Sequence, residues 1–166
     1  MRQQRSIRHE AASDAAAIRT LLTRSFPTSA EADLVDKLRG DGDLMLALVA
    51  EDAGEVVGYT AFSVMNAPFV AVGLAPVAVD VDNRRKGIAT AMILTGLGEL
   101  RAIGVEAAFV LGEPAYYTRF GFDAAAASGF QSPYAGPYFM VAALRASRLP
   151  VSTGPVAYAA AFADLS

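Results

Sequence analysis

The chain reads as an α/β (α+β) protein built on a mixed central sheet of about six to seven strands. Three observations lead there. First, the apolar runs Leu44–Glu51 and Val56–Met65 flank a hairpin turn at Ala53-Gly54, and Asn66-Ala67-Pro68 turns the chain again before Val70–Val79. Successive turn-linked strands make an antiparallel meander. Second, Val70–Val79 is followed by the helix-period segment Ile88–Ile103 and a further apolar run, Val105–Leu111. Strand, helix and strand in that order form a right-handed parallel crossover. Third, a short basic turn ending at Gly87 joins the first of these strands to the helix.

Composition narrows the function classes. Residues 1–166 are expected to form a single domain, long enough to bury a real core. Hydrophobic residues make up 54% and charged residues 19%, which argues against disorder. The apolar runs are too short to span a bilayer, and Glu10 and polar residues follow the basic residues Arg2, Arg5 and Arg8 without an apolar signal segment. The expectation is a cytoplasmic protein with no membrane partner. A net charge of −3 argues against nucleic acid as the main ligand. Cysteine is absent and His9 is the single histidine. No disulfide, thiolate nucleophile, Cys-based zinc site or multi-histidine metal site can form, and no metal is expected. An enzyme with this inventory works by positioning two substrates.

Each element has its own signals. Ser6–Glu10 is a short strand. Ser13 caps a helix whose apolar positions are Ala17, Ile18, Leu21 and Leu22, with Pro27 beyond its end. Ser29 opens a second helix with Ala32, Leu34, Val35 and Leu38 on its buried side and Gly40 as its stop. Along Ile88–Ile103, the residues Ala89, Met92, Ile93, Leu97, Leu100 and Ile103 share one face. Gly96 and Gly98 each cost that helix roughly 1 kcal/mol relative to Ala, which close packing on the sheet would explain. Pro114 suits the first turn of a short helix, Pro114–Phe120, and Gly121 its C-terminal turn. Asp123–Pro137 reads as a loop or loose helix and Tyr138–Leu144 as a strand. Val156–Phe162 reads as a last strand, antiparallel to the one before.

Two features carry chemistry. Val70–Val79 is apolar almost throughout, as in a strand buried on both faces, yet it contains Gly73 and Pro76. Proline cannot donate to a ladder. The strand is either a tolerated irregularity or a place where the sheet opens and leaves backbone groups free for a ligand. The turn Arg84-Arg85-Lys86-Gly87-Ile88-Ala89-Thr90 lies at a helix N-terminus, where unpaired amides and the helix dipole favour an anion. It is either an anion site or a solvated basic turn. It is not a Walker loop, because Lys86 precedes Gly87 rather than Ser or Thr. Gly96 and Gly98 do not start a dinucleotide fingerprint, because Arg101 stands where its third glycine belongs.

Arg84–Ala89 matches Gln/Arg-x-x-Gly-x-Gly/Ala, the signature of the GCN5-related N-acetyltransferase (GNAT) superfamily, which this chain resembles. Pro76-Val77-Ala78-Val79 looks like that family's bulged fourth strand, and Tyr117–Phe122 resembles its later Y-x-x-x-G-F motif. The fuller string from Val110, VLGEPAYYTRFGF, is similar to the bacterial branch of YhbS-like predicted acetyltransferases. The matching stretch covers about a third of the chain, and the element order fits nearly all of it.

The resemblance implies a GNAT fold, with helices on both faces of the sheet and a splayed parallel pair at the cofactor site. It implies acetyl-CoA (coenzyme A) as cofactor and transfer of its acetyl group to a primary amine of a small molecule or peptide, by direct attack. Arg84, Arg85, Lys86, Gly87, Ile88, Ala89 and Thr90 then hold the diphosphate, and Val77, Ala78 and Val79 pair with the pantetheine arm. Tyr117 takes the position of the family's general acid, and Tyr116 a position usually filled by an apolar residue. Asp80, Asp82, Glu113 and Glu31 are candidates for the general base, with nothing to choose between them, and His9 is read as structural. A homodimer through the C-terminal strands is compatible with this reading. The remaining alternatives are a non-catalytic acyl-CoA-binding domain and a binding module for a different nucleotide.

Overall fold

One seven-stranded sheet organises the computed structural model, which describes residues 5–164. In chain order the elements are β1 (Arg5–His9), α1 (Ala15–Ser25), α2 (Ala30–Asp41), β2 (Leu44–Asp52), β3 (Glu55–Asn66) and β4 (Ala71–Val79). There follow α3 (Ile88–Ala102), β5 (Ala107–Leu111), α4 (Pro114–Tyr117), α5 (Ala124–Ala127), β6 (Phe130–Gln131), β7 (Phe139–Ala143), β8 (Gly154–Pro155) and β9 (Ala157–Tyr158). The spatial order is β1-β2-β3-β4-β5-β7, with β9 on β3 and a separate β6–β8 pair. Only β4 and β5 run parallel within the large sheet; its other pairs are antiparallel.

The meander follows from local chemistry. Ala53 and Gly54 both take positive φ (51° and 83°), the conformation a tight two-residue hairpin requires. Side chains of β3 alternate between two cores. Phe62 joins Val72, Leu74, Ile93, Leu97 and Leu100 on the α3 face. Tyr59 and Ala61 join Ile18, Leu22 and Val35 on the α1–α2 face. The helices on both faces are those of the expected architecture. Gly96 is buried against the Phe62 ring, whereas Gly98 faces open space.

Three boundaries differ from the sequence reading. Ser13 does not cap α1. It sits in a 3-10 turn, Ala12–Asp14, and Asp14 is the residue before the helix. The Asp14 carboxylate is held by the Arg8 guanidinium at 2.7 Å and by the Ala11 N–H at 2.7 Å, so the start of α1 is tied to β1 as well as to the turn before it. Gly40 does not stop α2, which runs on to Asp41. Gly42, at φ 75°, ends it, and its N–H bonds back to the Arg39 carbonyl. Finally, Val156–Phe162 is not a strand beside β7. Only Ala157 and Tyr158 pair, with Asn66 and Met65 of β3, and Ala160–Asp164 winds into a 3-10 turn. The cause is tertiary: Ala161 and Phe162 pack onto Leu34 and Leu38 of α2.

Candidate active site

The sheet opens between β4 and β5. The two strands pair only through Ala71–Gly73 with Ala107–Phe109. Just beyond, β4 bulges: Val77 faces Thr60 and Leu74 faces Phe62, so Ala75 and Pro76 together stand opposite Ala61. Past the bulge β4 keeps β3 as its ladder partner and has no further pairing with β5. The Asp80 N–H donates to the Val57 carbonyl at 2.8 Å, which sets the antiparallel alternation. Ala78 turns its backbone groups toward β3. Val77 and Val79 turn theirs to the open side. There the Arg84 Nε–H donates to the Val79 carbonyl at 3.0 Å. Of the two readings of Pro76, the structure adopts the opened sheet.

The turn at the mouth of this fork is built around two left-handed residues. Asp80 accepts from the Val81 N–H (3.0 Å) and from Arg24 (2.8 Å), and starts a 3-10 turn, Val81–Asn83. Arg85 then takes φ 63° and Gly87 φ 78°. A non-glycine residue held there costs roughly 1–2 kcal/mol, and such strain is concentrated at ligand clamps. The first intrahelical bond of α3 runs from the Ala91 N–H to the Gly87 carbonyl, and no side chain caps the helix. The amides of Ile88, Ala89 and Thr90 therefore precede the helical ladder and carry the positive end of its dipole. Arg84, Arg85 and Lys86 are exposed, and none has a carboxylate within ion-pair distance among the described residues. Turn and fork suit an elongated anion: a phosphate group at the amides and an amide-bearing arm laid along Val77 and Val79.

Most of the residues singled out in the sequence meet in one cleft. Val77, Ala78, Val79, Arg84, Arg85, Gly87, Ile88, Ala89 and Thr90 line a cavity of about 410 Å³. Lys86 lines a neighbouring depression with Arg5 and Ser6 instead. Ser25 at the end of α1, Phe26 just after it, Asn83 and Tyr116 of α4 complete the cleft, and sequence reasoning assigned none of them to it. The Tyr116 hydroxyl lies 3.1 Å from Thr90 Oγ1, so the first turn of α3 is joined to α4. A tyrosine in a position usually apolar was the available signal.

Tyr117, the expected general acid, is not among the residues that line this cavity. Its ring packs so closely on Gly112 that a Cβ there would lie 2.5 Å from Cε2, and it meets Phe122 and Tyr116 edge-on. Burial, with a smaller contribution from Tyr116, pushes its hydroxyl up to about 12. The group stays a neutral hydrogen-bond donor far above neutral pH. None of Asp80, Asp82, Glu113 or Glu31 lines the cleft, and Asp80 is already held by Arg24. His9 Nε2 lies 2.6 Å from Glu99 Oε1 on the surface, joining β1 to α3. On the sheet face that carries α1 and α2, the Tyr158 ring covers Gly73, the last β4 residue before the fork. Ser63, opposite Gly73, is fully buried with its Oγ unpartnered.

Comparison with known proteins gives one consistent result. A family profile described as an acetyltransferase (GNAT) domain matches residues 6–125. The chain is 44% identical over 158 residues to the "uncharacterized N-acetyltransferase YhbS" of Escherichia coli K12, covering 92% of this chain and 95% of that one. The crystal structure of Escherichia coli YhbS in complex with CoA superposes with a TM-score of 0.93 at 40% identity, over 100% of this chain and 96% of that one. A GNAT acetyltransferase from Brucella melitensis in complex with acetyl-CoA superposes with a TM-score of 0.80 at 35% identity, over 96% and 98% of the two chains.

Proposed function

This chain belongs to the acetyltransferase (GNAT) family, and on that premise we propose that it moves the acetyl group of acetyl-CoA to a primary amine of a small molecule or peptide by direct attack. The observation that carries the reading is the single cleft in which the opened β4–β5 fork meets the uncapped start of α3. The amides from Arg85 to Thr90 hold the diphosphate, and Arg84 and Arg85 add charge. The backbone of Val77 and Val79 pairs with the pantetheine amides, continuing the sheet where β5 has left it. When bound, acetyl-CoA supplies a thioester open to attack by a neutral amine. The related structures with CoA and acetyl-CoA support this choice of cofactor.

Tyr117 is the residue assigned to the departing sulfur. A free thiol has a pKa of about 8.5. With its own hydroxyl pushed up to about 12, Tyr117 is the weaker acid of the two, and full proton transfer to the thiolate runs uphill. Its role is therefore to donate a hydrogen bond to sulfur as the C–N bond forms and the C–S bond breaks, and the proton lost by the acceptor amine passes to the departing thiolate. Catalysis otherwise rests on holding thioester and amine together.

The absence of cysteine makes the test clean, because a thiol reagent detects only coenzyme A released from acetyl-CoA. Acetyl-CoA is incubated with the protein and a panel of amines, polyamines, aminoglycosides and peptide N-termini. Thiol release that depends on one amine class supports the reading. A raised melting temperature with acetyl-CoA but no amine-dependent release across the panel would replace it with a binding-only domain.

A further inference from the structure

We propose that Arg119 is the docking residue for the ribose 3′-phosphate of the cofactor, a second anion site separate from the glycine turn. The inference rests on the acetyl-CoA reading above. Coenzyme A carries two separated anionic groups, a diphosphate and a ribose phosphate. The strained turn and the first amides of α3 form one compact anion site, sized for the first group. The second needs a donor elsewhere along the cleft.

Arg119 has the attributes of that donor. It lies in the exposed 3-10 turn Thr118–Phe120, directly after α4. Its guanidinium carbon sits 4.5 Å from the centroid of the Tyr116 ring, and its Nε–H donates to the Tyr116 carbonyl at 2.8 Å. Tyr116 lines the cleft and is itself held through its hydroxyl to Thr90. The arginine is thus fixed at two points on the α4 wall, while Arg84 and Arg85 stand on the turn. Among the described residues no carboxylate lies within ion-pair distance of Arg119, so both Nη groups remain to donate.

The chemistry of the side chain favours phosphate. A planar guanidinium presents paired N–H groups that match two phosphate oxygens, and one already anchored through Nε loses less freedom on binding. Stacking on Tyr116 accounts for the orientation of the side chain but leaves its charge without a partner.

The test measures binding of acetyl-CoA and of 3′-dephospho-acetyl-CoA by calorimetry to the wild type, Arg119→Gln and Arg85→Gln. Arg119→Gln is expected to weaken acetyl-CoA roughly tenfold and leave the dephospho form unchanged. Arg85→Gln is expected to weaken both alike. An equal loss on both ligands in Arg119→Gln, or no loss on either, overturns the assignment. If Arg119→Gln does not fold, the wild type still decides against it: equal affinity for the two ligands overturns the proposal. Failure of the wild type to bind either ligand would overturn the cofactor reading itself, an outcome distinct from loss of discrimination.

Discussion

Gly96 and Gly98 lie two residues apart in α3, and the same substitution should have opposite effects at the two. In isolation, Gly→Ala in a helix interior gains about 1 kcal/mol at each site. At Gly98 a Cβ meets nothing within 4 Å, so the gain stands. At Gly96 the new methyl would lie 2.4 Å from Phe62 Cε2 and 2.6 Å from Cζ, where an ordinary carbon contact is about 3.5–4.0 Å. Phe62 is fully buried in the core between sheet and helix, and Leu48 Cδ1 stands 3.5 Å from the same methyl. The ring or the helix must therefore move by about 1 Å, and overpacking of this kind typically costs about 1–3 kcal/mol. Set against the propensity gain, Gly96→Ala should destabilise by about 1 kcal/mol and Gly98→Ala stabilise by about the same. For a chain of this size 1 kcal/mol corresponds to about 2–4 °C in Tm, so the two variants should melt roughly 4–8 °C apart. Equal stabilisation of both would refute the packing account of Gly96, leaving only the helical preference.

Tyr117→Phe should slow the chemical step by about a hundredfold and leave acetyl-CoA affinity unchanged; single-turnover rates that match the wild type would remove Tyr117 from the mechanism. With its hydroxyl pushed up to about 12, the ratio of wild-type to Tyr117→Phe rates should stay flat from about pH 7 to 10. Asp14 gives the pH dependence of stability. The Arg8 guanidinium first, and the Ala11 N–H to a lesser degree, hold its carboxyl below the usual range against the opposing effect of burial. A depressed folded-state pKa stabilises fully above about pH 4 and is lost as pH falls below that. Asp14→Asn should therefore be less stable at neutral pH, with a shallower decline in urea midpoint toward pH 3. A decline parallel to the wild type would assign the acid sensitivity to other carboxylates.

Much of the fold was legible because it is written in short-range signals. Ala53-Gly54 can hardly do other than turn, and Gly121 takes the positive φ that its place at a helix C-terminus suggested. The cofactor turn was legible for the same reason: glycine, cations and unpaired amides are neighbours in the chain. Where local signals tie, sequence could not choose. Gly40 and Gly42 are equally good stops for α2, and the choice fell to the residue whose turn lets Asp43 bond back to the Leu38 carbonyl. Val156–Phe162 has the composition of a strand, but its aromatic residues are drawn onto Leu34 and onto Gly73, far away in the chain.

By itself, then, the sequence determined the meander, the parallel crossover, the glycine turn and the aromatic motif that follows β5, because each depends on backbone preferences within a few residues. Pro76 could be read only as a disturbance in β4. Tertiary structure decided that the disturbance is a fork, since that outcome depends on how far β5 and β3 each follow β4. It also decided which of two adjacent tyrosines walls the cleft. Tyr116 and Tyr117 differ by one position on a short helix; the Thr90 hydroxyl takes one of them and the space over Gly112 takes the other. The Thr90 contact joins residues that are distant in the chain, and distance in the chain carries no local signal.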